Sequence, residues 1–160
     1  GVKAANPDAE VMVQYANSFT DSALGKTIAN QMHSKNADII FTCAGAVGIG
    51  AIEAAKENGK KAIGVDQDQN SLAPENVITS AMKNIDVSVE EMLSKVVDGS
   101  YKGGEIIVNT LAMNGVGIPQ SSEKNVPPDV LTYVKEEAEK VKSGEVKVPA
   151  TKEEFEQLNK

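Results

Sequence analysis

Short apolar runs alternate with amphipathic stretches along this 160-residue chain. "EVMVQYA" at 10 to 16 reads as a strand. "DSALGKTIANQMHSKN" follows with apolar positions at Ala23, Leu24, Ile28 and Met32, the spacing of one helical face. "ADIIFTC" at 37 to 43 predicts a second strand, and "AGAVGIGAIEAAKENG" a turn and a helix that stops at Gly59. "KKAIGV" is the third strand. After a polar loop with Pro74, "NVITSAM" is the fourth, and "DVSVEEMLSKVVDG" is a helix capped by Asp86 and closed at Gly99. "GEIIVNTLAM" reads as a strand at the sheet edge, and "NGVGI" adds a further short one. "DVLTYVKEEAEKVKSG" is a long charged helix with a thin apolar stripe. The tail "VPATKEEFEQLNK" suits either a short helix or a frayed end.

Repeated strand, turn and helix predict a doubly wound α/β fold over residues 1–160 as a single domain, because parallel neighbours need crossover connections and helices supply them. Ligands of such sheets sit outside the carboxyl ends of the strands. The residues just after each strand are therefore the ones that matter: "NSFTD", "AGAVGIG", "DQDQN" and "SAMKN".

Composition narrows the chemistry. With 41% hydrophobic and 24% charged residues the chain is ordinary globular protein, and no apolar run reaches membrane-spanning length. The net charge is -7 and every basic residue is Lys, so the planar guanidinium fork that grips phosphates and base edges is absent. Nucleic acid is not an expected partner. His33 is the only histidine, which excludes a zinc cluster or a histidine-based triad from this chain and leaves a solvated helix position as its default. The lone Cys43 reads as a small buried hydrophobe. The chain starts at Gly1, and "GVKAANPD" carries neither a targeting segment nor an anchor, so the expectation is a chain cut from a longer one.

Several familiar motifs fail on spacing. The glycines of "AGAVGIG" run G-x-x-G-x-G, which is not the dinucleotide fingerprint, and "GKT" at 25 to 27 is mid-helix with Thr20 where a phosphate loop needs glycine. "SAMK" fits S-x-x-K without its partner motifs. Asp66 and Asp68 lack the further oxygen ligands of a calcium loop, so no metal and no cofactor is expected. What remains is an acid ending one strand, Asp66, a lysine ending the next, Lys83, and an aromatic, Phe19, after the first. A carboxylate accepts from a vicinal diol, a lysine donates to its oxygens, and an aromatic face stacks on a flat ring, which suits a nucleoside or sugar. A plain ion pair between Asp66 and Lys83, with Phe19 in the core, fits the same residues.

"VQYANSFTD", "ADIIFTCAGAVGIGAIEAAKE", "AIGVDQDQN" and "VITSAMKNID", in this order, resemble the carboxyl-terminal lobe of the basic membrane protein family, substrate-binding lipoproteins of ABC transporters similar to purine nucleoside receptors. The resemblance implies one lobe of a type I periplasmic-binding-protein fold, with the amino-terminal lobe absent from this chain. It implies a nucleoside held between two lobes without catalysis, an ABC permease as partner, and a membrane-anchored lipoprotein at the cell surface or in the periplasm. By match to the family motifs, Phe19 stacks on the base, Asp66 takes the ribose hydroxyls with Lys83 beside it, backbone near Gly45 touches the sugar, and Asp68 shapes the turn. Ala46 and Val47 depart from the glycine and small hydroxyl residue of relatives. A lobe without its partner exposes apolar surface that favours self-association. The competing reading is a sugar- or nucleotide-processing enzyme or a ligand-sensing regulator on the same scaffold, against which stands the lack of a nucleophile-base pair.

Overall fold

The computed structural model describes residues 1–158. Along the chain the elements are α1 (Val2–Ala5), α2 (Ser22–Ser34), β1 (Ile39–Phe41), α3 (Val47–Glu57), β2 (Lys61–Asp66), a single 3-10 turn (Asn70–Leu72), β3 (Val77–Lys83), α4 (Ile85–Val97), β4 (Val116–Gly117), α5 (Ser122–Asn125), α6 (Pro128–Ser143) and α7 (Lys152–Leu158). They divide into two compact units. The first is Gly1–Met82 with Ile118–Asn125; the second is Lys83–Gly117 with Val126–Lys160.

The first unit is α/β with parallel strands, as the alternation of strand and helix predicts. β1 pairs with β2 from Ile39 opposite Lys61 to Phe41 opposite Ile63. β2 pairs with β3 through a register shift, ending with Asp66 opposite Met82. Helix α3 covers one face of this sheet: Ile52 and Ala55 pack with Ala62, Ala73 and Val77, while Ala51 and Ala54 join Ile40 and Ala29 of α2. On the other face α5 reaches β3, where the hydroxyls of Thr79 and Ser122 lie 2.8 Å apart, and Ile39 and Phe41 stay exposed.

Two glycines set how closely α2 and α3 approach. A Cβ on Gly25 would overlap the carbonyl of Val47, and one on Gly50 would overlap the carbonyl of Ser22, so the two backbones touch where side chains normally keep helices 8–10 Å apart. "GKT" is thus a helix-packing site. Lys26 then bridges from α2 to Glu57 and Glu53 of α3, at 2.8 Å and 3.2 Å. The same helix is capped by the Asp21 carboxylate, which accepts from the Leu24 amide at 2.9 Å.

Four expectations are corrected here. "EVMVQYA" forms no ladder, and Val11, Val13 and Tyr15 are exposed. Its apolar residues alternate onto both faces, so it needs a neighbouring strand and cover on each side, and it has no ladder partner among the described residues. "GEIIVNTLAM" likewise pairs with nothing as a strand. Asp86 lies inside α4, whose N-cap is Asn84. His33 is buried: the segment after α2 folds back, Ala37 donating to the Met32 carbonyl at 3.0 Å, and His33 Nδ1 lies 3.1 Å from the Ala37 carbonyl oxygen. The tail ambiguity resolves to helix α7 through Leu158, while Asn159 and Lys160 lie outside the described residues.

Candidate functional site

The carboxyl ends of β1 and β2 each close in a three-residue turn. After β1, the Ala44 amide donates to the Thr42 carbonyl at 2.7 Å, and after β2 the Gln67 amide donates to the Val65 carbonyl at 2.8 Å. The first turn lifts Cys43 out of the core, so it is exposed and not the buried hydrophobe its apolar neighbours imply. Asp66 sits at the centre of the second turn with φ of 67°. A non-glycine residue in that region is uncommon and costs backbone energy, and such positions cluster at functional sites. Asp66 is exposed, on the strand edge where ligands of parallel sheets bind.

The strained turn is held from behind. The buried Gln69 accepts the Val65 amide on its Oε1 at 2.9 Å, and its own amide donates to the buried Ser80 hydroxyl at 3.1 Å. Gly64 makes room for both, since a Cβ there would come within 2.7 Å of Gln69 Oε1. Asp68 is a turn residue, accepting the Asn70 amide at 3.0 Å. Neither Gln69 nor Ser80 stands out in the sequence, where "DQDQN" reads as a polar loop. The available signal is Gly64 inside an otherwise large apolar strand, which marks a close approach.

Phe19 and Gly45 are brought together. The Ala46 amide donates to the Phe19 carbonyl at 2.9 Å, and a Cβ on Gly45 would lie 3.0 Å from that oxygen and 3.5 Å from the ring's Cδ1. With φ of 58°, Gly45 also occupies backbone space that other residues rarely adopt. The loop itself is tied by the Ser18 hydroxyl, which accepts from the Thr20 and Asp21 amides at 3.2 Å and 3.1 Å. Its backbone is fixed while its ring is 74% exposed, so Phe19 is not the core residue of the alternative reading. An anchored aromatic face in water is the arrangement of a stacking platform. Lys83 ends β3 and belongs to the second unit. Among the described residues no three histidines, cysteines or acids are grouped so as to hold a metal ion.

A family model described as an ABC transporter substrate-binding protein, PnrA-like (Bmp), matches residues 1–152. The chain belongs to this family. Among the relatives of the Bmp chain, Basic membrane protein B of Borreliella burgdorferi is 39% identical over 160 residues, which are 98% of this chain and 45% of that protein. The solved ABC transporter solute-binding protein of Aeropyrum pernix K1 superposes with a TM-score of 0.79 at 26% identity, covering 94% of this chain and 50% of that one. A transcriptional activator of the comK gene from Bacillus halodurans shares the fold, with a TM-score of 0.77 at 19% identity. The Bmp chain spans about half the length of the curated relatives it matches.

Proposed function

We propose that this chain is part of the substrate-binding component of an ABC importer and that its ligand is a nucleoside, purine nucleosides favoured, captured between two lobes and released without chemical change. The observation that carries the reading is the pairing of an anchored, exposed aromatic ring with an exposed carboxylate on a strained turn, both at the carboxyl edge of the sheet in the first unit. Phe19 stacks on the base. Asp66 accepts both ribose hydroxyls, a geometry that a carboxylate meets with its two oxygens. Gly45 sets the height of the ring over that edge. The two-lobed protein works at the outer face of the membrane as an anchored lipoprotein beside its permease, in the manner of the family. No described helix is long and apolar enough to cross a membrane.

Two carboxylate hydrogen bonds to one diol are worth about 1.5–3 kcal/mol each. Asp66→Ala in the protein carrying both lobes therefore lowers nucleoside affinity by about 100-fold or more in calorimetry, and Phe19→Ala lowers it by roughly 10- to 100-fold, the usual worth of base stacking. Unchanged affinity in the Asp66 variant removes the assigned role. Incubation with inosine, guanosine and adenosine leaves all three intact by chromatography; free base in the mixture replaces the transport reading with a hydrolase.

A further inference from the structure

The chain leaves the first unit after Met82 and re-enters it for one short stretch, Ile118–Asn125. That stretch is wired to the loop that follows Asp66. The Asn125 side-chain amide donates to the Pro74 carbonyl at 2.6 Å and to the Val77 carbonyl at 2.9 Å. Asn70, on the loop itself, donates its own side-chain amide to the same two carbonyls, at 3.2 Å and 3.0 Å. A carbonyl oxygen has two lone pairs and an amide nitrogen two hydrogens, so the four groups satisfy one another completely. Val77 also borders the register shift between β2 and β3, a place where ladder bonds are interrupted.

Two short routes carry this clamp to Asp66. Along the chain, Asn70 follows Gln69 directly, and the Leu72 amide donates to the Gln69 carbonyl at 3.1 Å. The loop that Asn125 holds therefore fixes Gln69, whose side chain takes the Val65 amide just before Asp66. Through β3, the buried Ser122 hydroxyl lies 2.8 Å from that of Thr79, one residue before Ser80, and Ser80 accepts the Gln69 amide. Both routes end at Gln69. A left-handed turn at a residue other than glycine persists only where its surroundings over-determine it, and part of that constraint comes from a residue far along the chain.

We propose that Asn125 is a positioning residue for ligand binding: its amide locks the 67–76 loop, and through Gln69 the Asp66 turn, in the conformation that presents the carboxylate. What Asp66 holds rests on the nucleoside reading; how Asp66 is held rests on the geometry alone. Asn125→Asp separates the amide from its shape. It keeps nearly the same outline, has no N–H to donate, and puts a negative charge within hydrogen-bond distance of two carbonyl oxygens. With the loop released, the Asp66 carboxylate no longer keeps one orientation, so a ligand that uses both ribose hydroxyls loses affinity and one that lacks them does not.

In this chain without ligand, Asn125→Asp speeds amide exchange across 64–72 by about tenfold or more, the effect of losing roughly one hydrogen bond. Exchange in α2 and β1 stays at the parent rate, which also shows that the variant is folded. In the protein carrying both lobes, calorimetry shows Asn125→Asp weakening inosine binding by about tenfold or more. The dideoxy analogue, which lacks both ribose hydroxyls, binds as it does to the parent, and in an Asp66→Ala background Asn125→Asp has no further effect on inosine. Asn125→Ala, which removes the donor without adding charge, moves each readout in the same direction by a smaller factor. Gln31→Glu, the same change of charge at an exposed position of α2, moves none. Unchanged exchange across 64–72 in both Asn125 variants overturns the proposal, as does an equal loss of affinity for inosine and its dideoxy analogue. If Asp66→Ala weakens inosine binding and Asn125→Asp does not, this inference falls and the nucleoside reading stands. If Asp66→Ala binds inosine as the parent does, the nucleoside reading falls, and with it the ligand role given to Asn125.

Discussion

The two units of this chain are about equally rich in apolar residues, yet among the described residues only the first has a hydrophobic core cluster. Every buried apolar residue among those described lies in the first unit, Leu131 of α6 excepted. In the first unit a parallel sheet gives α3 a surface to cover, and the helix α2 closes over α3 through Gly25 and Gly50. In the second unit α4 has an amphipathic sequence, but its apolar residues Ile85, Val89, Leu93, Val96 and Val97 stay exposed. An apolar stripe is therefore a statement about a partner surface, and it becomes a core only where the chain also supplies that surface.

The largest test of this contrast is truncation of one buried residue in each unit. Ile52→Ala opens a cavity against Ala62 and Val77 and costs about 4 kcal/mol in chemical denaturation, whereas Leu131→Ala, at a less fully enclosed site, costs about 2 kcal/mol. Equal costs would mean that the second unit has a core of its own. Gln69→Leu sharpens the comparison at the next level. It strands the buried Val65 amide and costs about 1–3 kcal/mol, and it speeds amide exchange in β2 while leaving α4 unaffected.

The smallest effect is electrostatic. Hydrogen bonds to Glu57 and then Glu53 raise the pKa of Lys26 above the ordinary lysine value. A raised folded-state pKa contributes stability that is fully present below the unfolded value and is lost as pH rises through the folded one. Thermal melts therefore stay level from neutral pH up to the ordinary lysine range and fall above it, and Lys26→Met reduces that alkaline decline, to which Lys95 and Lys140 also contribute.

Most of the first unit was legible in the sequence because its strands and helices each carry a local signal and the chain provides both sides of every contact. The apolar face of α2 and the acid closing "KKAIGV" needed only short-range rules. The segments at 10–16 and 104–113 were misread as laddered strands for one reason: β-pattern describes a side-chain arrangement, while a ladder needs a second strand, and pattern cannot say whether one is present. His33 was missed because its burial comes from a reversal of the chain at 35–37, not from the helix face it sits on. Of the candidate site residues, Asp66 was singled out from its position after a strand, Phe19 from its place after a segment that forms no ladder among the described residues, and Gly45 from the family resemblance. Gln69 and Ser80 escaped because a buried polar pair leaves no trace in periodicity.

The left-handed backbone at Asp66 also restricts what can replace it. Aspartate and asparagine tolerate that conformation better than other side chains, because their short polar groups bond locally. Lengthening the acid by one methylene disturbs the peptide geometry as well as the reach of the carboxylate. Asparagine keeps the bend and discards the charge, and so separates what the main chain needs from what the carboxylate supplies.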